Sequence, residues 1–151
     1  MFQPGHVTER KPPFLFGVYT RVAFSDTDAQ SVVYYGRYLP YFDLARTEYH
    51  RNLGSIARAE GSEFVMRASN VEYHAPARFD DLLEVFVRII GIGRSSMTYD
   101  YAVYRLDSDE SDTLMVTATQ TVVLIDHDDR NTLPVPDLFR AAVSAFEGVE
   151  L

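Results

Sequence analysis

Two carboxylates, Asp26 and Asp28, stand one residue apart in the stretch FSDTDAQSVVYYGRYLPYFDLARTEYHRNLG, Phe24 to Gly54. They fall on a short polar loop between an alternating apolar run and a segment of helical periodicity. Acids placed this way can close a turn, ligate a metal, or divide into one working acid and one structural acid. An unperturbed Asp has a pKa of ~3.9 and is already ionised at neutral pH. It can therefore attack a carbonyl, or polarise a water, without prior activation. A loop that ends at a helix N-terminus also offers unpaired N–H donors and a positive dipole end. Those donors can hold an oxyanion. A carboxylate and an oxyanion donor are the two parts needed to hydrolyse an acyl group. The plainer alternative is an Asx-rich turn whose acids cap backbone N–H groups.

Other chemistries fit less well. A calcium loop would need Gly at its sixth position and Glu at its twelfth, where this chain has Ser31 and Arg37. The cluster Asp126, His127, Asp128, Asp129 follows a strand-like run and has no recognisable second ligand set, so it reads as a solvated turn. No metal site is expected. There is no G-x-S-x-G, and the absence of cysteine removes thiolate nucleophiles and disulfides together. The four histidines, His6, His50, His74 and His127, are scattered and read as structural or exposed. His74, beside Tyr73 and before Ala75-Pro76, is the one to watch.

The elements that must position these residues can be sketched from periodicity. Phe14, Phe16, Val18, Thr20, Val22 and Phe24 alternate, which predicts a strand over 14–24 with those residues on one face. Tyr38, Phe42, Ala45 and Tyr49 recur at helical spacing, which predicts a helix over 37–52. That helix has Pro40 in its first turn and Gly54 as its cap. Further strands are expected over 64–73, 82–92, 95–105 and 114–126, joined by hairpins, with LDSDESDT as the loop between the last two. PVPDLFRAAVSAFEG predicts a short closing helix. Consecutive strands should be antiparallel, and the long helix must cover their apolar face. The expectation is an α+β layer, a curved antiparallel sheet around one long central helix.

The 151 residues suit one domain, expected over 13–151, with residues 1–12 as a flexible tail. Hydrophobic residues make up 46% and charged residues 24%, as in ordinary globular proteins. A formal net charge of −8 argues against a nucleic-acid partner. MFQPGHVTERKPP lacks the apolar core of a signal peptide, and no apolar run approaches the ~18 residues of a membrane span. A cytoplasmic protein is expected.

The run D-T-D-A-x-x-V-V-Y-x-x-x-Y-L-x-Y-F-x-x-A-R-T-E resembles the 4-hydroxybenzoyl-CoA thioesterase-like hotdog proteins, in particular the YbgC-type acyl-CoA thioesterases. The resemblance continues in Y-x-x-P-A-R-F-D-D-L-L-E-V, Tyr73 to Val85, and in G-R-S-S-M-T-Y-D-Y, Gly93 to Tyr101. It implies the hotdog fold and hydrolysis of a small-to-medium or aromatic acyl-CoA without a cofactor. It makes Asp28 the catalytic acid, Asp26 its support and the backbone N–H of Tyr35 the oxyanion donor. Glu48, on the helix, is the fallback acid; Arg46 and Glu48 stand two apart and do not face each other, and structural pairing or hydrogen bonding with other groups is the favoured reading. Arg94, Ser95 and Ser96 become candidate contacts for coenzyme A phosphates, against a plain hairpin turn. The resemblance also implies a homodimer with the site at its interface, either alone or paired further into a homotetramer.

Two departures stand against the resemblance. YbgC-type members usually read A-G-G where this chain reads Ala29-Gln30-Ser31, and usually carry His at the position of Tyr35. A lost glycine removes easy access to positive φ, so a changed loop path is expected. A backbone donor survives the change at Tyr35, but its ring alters the acyl pocket, which Tyr34, Tyr35, Tyr38 and Tyr41 would furnish. These departures keep a second reading open, a hotdog module that binds an acyl-CoA or acyl-carrier-protein thioester without turning it over. A dehydratase ranks last, because no His lies in the 25–36 loop.

Overall fold

The computed structural model describes residues 3–54 and 61–151. Six strands form one antiparallel sheet: β1 (Gly5–Lys11), β2 (Phe14–Arg21), β3 (Ser62–Tyr73), β4 (Leu82–Ile92), β5 (Ser96–Leu106) and β6 (Asp112–Asp126). Their order across the sheet is β1-β2-β4-β5-β6-β3, so the sheet is open, with β1 and β3 as its edges. Helix α1 (Tyr38–Asn52) lies on the inner face and α2 (Asp137–Glu147) closes the described chain. This is the hotdog arrangement expected from the sequence, a sheet laid around one long helix.

The core follows the predicted periodicities. Leu83, Val85, Val87 and Ile89 of β4 and Met97, Tyr99, Tyr101 and Val103 of β5 are all buried, in one cluster with Tyr38, Phe42, Ala45 and Tyr49 of α1. Period two therefore gave the inner face of both strands, and period 3.6 gave the buried stripe of the helix. Pro40 sits in the first turn of α1, where its missing N–H has no intrahelical partner to lose. Leu53 caps the other end and Gly54 follows with φ of 88°.

Three expectations change. Residues 5–11 are not a flexible tail. They form β1, paired with β2 from Gly5↔Val18 to Lys11↔Phe14. Close approach explains Gly5, since a Cβ there would meet Phe16 Cζ at 2.3 Å and Glu48 Cβ at 3.2 Å. Second, 14–24 is not one face of one strand. β2 stops at Arg21, Phe24 stands 77% exposed on a 3-10 turn, and Phe14 joins a separate small cluster with Phe86 and Ala102. Alternation reports a face but not where the strand stops.

Third, the later strands are not all joined by hairpins. β3 pairs with β6 at the far edge while β4 pairs with β2 and β5, so residues 74–81 must cross back along one end of the sheet. His74 and Ala75 donate their N–H groups to Met115 O at 2.8 and 3.1 Å, and Val22 donates to Asp81 O at 3.0 Å. That strap also accepts a bond from the acidic loop, Val33 N–H to Ala77 O at 2.8 Å. The crossover thus brings the end of β3 against the loop of Asp26 and Asp28.

Candidate active site

The loop between β2 and α1 folds as a small hairpin, with a bridge between Thr27 and Val33. Asp26 anchors its base. It is 8% exposed and accepts hydrogen bonds from Ala23 N–H at 2.9 Å, Arg37 Nε at 2.9 Å and the Tyr41 hydroxyl at 2.8 Å. Burial alone would raise the pKa of its carboxyl. The donors from Ala23, Tyr41 and Arg37 outweigh burial and hold it below the ordinary value. The same pairing, after burial, keeps the Tyr41 phenol protonated far above its usual range. Both groups are fully occupied with structure, as a supporting acid requires.

Asp28 is placed differently. It is half-buried, and its Oδ1 accepts from the Gln30 N–H at 2.8 Å, while Ser31 N–H donates to the Asp28 carbonyl at 2.9 Å. Its Oδ2 has no hydrogen-bond partner among the described residues. One oxygen therefore orients the carboxylate and the other is left without a protein donor among the described residues. Ser31, where a glycine was expected to be missed, holds φ of 65°. This is the left-handed region, reached here by a serine that lacks a glycine's freedom there.

After the loop, Tyr35–Arg37 make a single 3-10 turn leading into α1. Tyr34 N–H donates to Asp26 O at 2.9 Å and Arg37 N–H to Tyr34 O at 2.8 Å. The N–H of Tyr35, which opens the turn, pairs with no acceptor among the described residues. Asp28 and Tyr35 line one cleft of about 320 Å3 with Gln30, Val33, Tyr38 and Tyr73. His74, Ala75 and Pro76 complete its rim, so the crossover strap is one wall. Burial pushes the Tyr38 phenol up to about 12, which leaves it neutral in this wall.

The structure separates other candidates from this cleft. Glu48 is buried beside Gly5 and ion-pairs with Arg51. It lies ten residues along α1 from Tyr38, roughly 15 Å. Arg46 reaches the Gln120 side chain at 2.8 Å, the Tyr101 hydroxyl at 3.1 Å and Asp43 at 2.5 Å. Arg94, Ser95 and Ser96 form the tight turn between β4 and β5, closed by Gly93 N–H to Ser96 O at 2.8 Å. That turn and the Asp28 cleft sit at opposite ends of the eleven-residue β4, roughly 30 Å apart at the rise of a strand.

Of the tyrosines expected to furnish the pocket, Tyr35 and Tyr38 line it, Tyr41 serves Asp26, and the Tyr34 ring lies tilted against Tyr35 with centroids 4.2 Å apart. His74 borders the cleft, with Nε2 bound to Thr117 Oγ1 at 2.9 Å. The acids of 126–129 close a turn, with Asp126 Oδ1 accepting from the N–H groups of Asp128 and Asp129 at 2.9 and 3.1 Å. Among the described residues, no three His, Cys, Asp or Glu side chains cluster as metal ligands, and no helix is long and apolar enough to cross a membrane. Sequence reasoning missed Arg37 and Tyr41 as partners of Asp26, and Tyr73 as a wall. Only Tyr73 carried a signal, as the first residue of the Tyr73–Pro76 motif.

The profile of the Thioesterase-like superfamily matches residues 22–143, a span that contains the acidic loop, α1, β3 to β6 and part of α2. The chain belongs to that family. It is 36% identical over 115 residues to the acyl-CoA thioester hydrolase YbgC of Escherichia coli, covering 74% of this chain and 83% of that one. It is 31% identical over 132 residues to the acyl-CoA thioesterase YbgC of Haemophilus influenzae, covering 84% and 93%. Among solved structures, a thioesterase superfamily protein from Jannaschia sp. CCS1 superposes with a TM-score of 0.83 at 22% identity, covering 92% of this chain and 87% of that one. A 4-hydroxybenzoyl-CoA thioesterase variant, solved with 4-hydroxybenzoyl-CoA, superposes with a TM-score of 0.76 at 22% identity, covering 85% and 97%. The two structures share the fold with this chain.

Proposed function

We propose that this thioesterase hydrolyses an acyl-CoA to a carboxylic acid and coenzyme A in the Asp28 cleft. The observation that carries the reading is a carboxylate with one unpaired oxygen in the same cleft as an unpaired backbone N–H. The thioester carbonyl sits with its oxygen toward the Tyr35 N–H, which stabilises the charge that develops there. Asp28 attacks the carbonyl carbon to form a mixed anhydride that water then hydrolyses, or it accepts a proton from a water that attacks directly. The coenzyme A thiolate leaves and takes up a proton. Asp26 does no chemistry in this scheme. It holds the loop and the turn together through Ala23, Arg37 and Tyr41.

The chain works as a homodimer. The cleft opens beside Tyr73, at the end of the edge strand β3, and an edge strand can extend its sheet across a second copy. Arg94, Ser95 and Ser96 then serve coenzyme A bound at a site they do not share with Asp28 of their own chain. Tyr35, Tyr38 and Tyr73 give the cleft an aromatic lining that suits aromatic or medium-length acyl groups. The test is turnover of a panel of acyl-CoAs with a thiol reagent, repeated on acyl-carrier-protein thioesters. Release of thiol from at least one acyl-CoA supports the reading. Tight coenzyme A binding with no turnover on either panel overturns it in favour of a binding module.

A further inference from the structure

Tyr73 ends β3 half-exposed, and its hydroxyl donates a hydrogen bond to the carbonyl oxygen of Tyr35 at 2.9 Å. Its ring meets Tyr35 edge-on at 6.5 Å and Tyr38 edge-on at 5.9 Å. The peptide planes on either side of the Tyr35 Cα are thereby fixed separately. On the preceding side, Tyr34 O accepts from Arg37 N–H at 2.8 Å, which turns the Tyr35 N–H the opposite way. On the following side, Tyr35 O is held by Tyr73. The first bond closes the turn, sets the direction of the Tyr35 N–H, and opens if the turn unwinds. The second ties the turn to the sheet, across a sequence separation of 38 residues.

We propose that Tyr73 is a positioning residue for thioester hydrolysis. Its hydroxyl fixes the rotation of the Tyr35 turn, and so the direction in which the free Tyr35 N–H points into the cleft. This rests on the reading that the Tyr35 N–H is the oxyanion donor. A donor must lie at about 2.7–3.1 Å from the position the oxyanion will take, not from the ground-state carbonyl. A turn free to rotate about Tyr35 satisfies that distance for only part of the time. The loss falls on the transition state, which needs the donor aimed, and not on the substrate, which binds through other contacts. Gly36 belongs to the same device. A Cβ there would meet the Tyr34 ring at 2.9 Å, so the glycine lets Tyr34 fold against the turn from the other side.

Tyr73→Phe removes the hydroxyl and keeps the ring. The expected result is a fall in kcat of about tenfold, below the 10²–10³ expected for deleting a donor outright, with KM within about twofold. The melting temperature should move by less than about 3 °C, because the bond is exposed and one net hydrogen bond is small for a chain of this size. A trifluoromethyl ketone analogue of the acyl-CoA, which adds water to a tetrahedral gem-diol that ionises to an oxyanion, should lose about tenfold in affinity, while a nonhydrolysable thioether analogue should lose none. Amide exchange gives an arm independent of turnover, in which the Arg37 N–H exchanges about fivefold faster in the variant. A variant with wild-type kcat and wild-type Arg37 exchange overturns the proposal, as does an effect confined to KM. A wild-type protein that hydrolyses no thioester overturns the oxyanion reading instead, and Arg37 exchange then still decides whether Tyr73 pins the turn.

Discussion

Replacing Asp26 with Asn tests the division of labour between the two acids, because it keeps the shape of the side chain and removes its charge. The carboxylate accepts three bonds, with Oδ1 facing Arg37 and Oδ2 facing both Ala23 N–H and the Tyr41 hydroxyl. An amide keeps one acceptor and turns a donor on the other side, so at least one existing donor loses its partner. Hydrogen bonds to a charged group are worth about 1.5–3 kcal/mol each. The Arg37 side chain is 46% exposed, so its ion pair counts for no more than about 1 kcal/mol. The expected loss is about 3 kcal/mol, or roughly 6–12 °C in Tm for a chain of this size.

The pH dependence adds a second check on Asp26. The folded carboxyl titrates below its reference value of 3.8, so the unfolded chain takes up the proton first as pH falls. Its contribution is therefore complete above about pH 4 and is lost as pH falls through the lower, folded pKa. Denaturant unfolding from pH 3 to pH 8 should show a constant gap between wild type and Asp26→Asn at neutral pH, narrowing below about pH 4. A gap under about 1 kcal/mol at pH 7, less than a single charged hydrogen bond, would refute the anchoring role. So would a gap that persists unchanged to pH 3.

Ser31→Gly should raise Tm by about 2–4 °C in calorimetry, since it relieves about 1 kcal/mol of strain at a φ of 65°. Unchanged or lower stability would mean that the loop carries no strain there. The His50 imidazole is buried against Phe139 and Phe64, and burial, with a smaller push from Arg46, lowers its pKa to about 4. The unfolded chain binds that proton at the ordinary 6.5, so stability should fall as pH drops from about 6.5 toward 4. His50→Leu should flatten that part of the profile whatever its effect on stability at pH 8. An equally steep decline in the variant would assign the pH dependence elsewhere.

Much of the fold was legible because burial imposes a period. The inner faces of β4 and β5 and the stripe of α1 are one apolar surface, and each shows its period in the sequence. β1 was hidden because GHVTERK has no clean alternation. Its place is fixed by packing against β2 and by the close approach at Gly5. The β3 to β4 crossover was hidden because strand order is decided by which edges meet across α1, a tertiary fact that leaves no local mark. In the site, the residues showed two acids on a loop beside a helix, and the choice of Asp28 and Tyr35 came only from the resemblance of the D-T-D motif. The partners of Asp26 were not legible, since Arg37 and Tyr41 reach it across the fold of the loop. Ser31 shows the limit of residue-type rules, because the hydrogen bonds Asp28 makes hold a non-glycine residue at positive φ.

The most direct test of the account compares kcat for Asp28→Asn with kcat for Glu48→Gln on the best acyl-CoA of the panel. Asn at position 28 can still accept the Gln30 N–H and keep the loop closed, so a loss of rate reports chemistry. The account predicts a fall of at least about 100-fold for Asp28→Asn, the scale of a positioned base or nucleophile. Glu48→Gln should stay within about threefold, because Glu48 pairs with Arg51 roughly 15 Å along α1 from the cleft. Near-wild-type turnover in Asp28→Asn, with Glu48→Gln inactive, would contradict the account and move the chemistry to the helix.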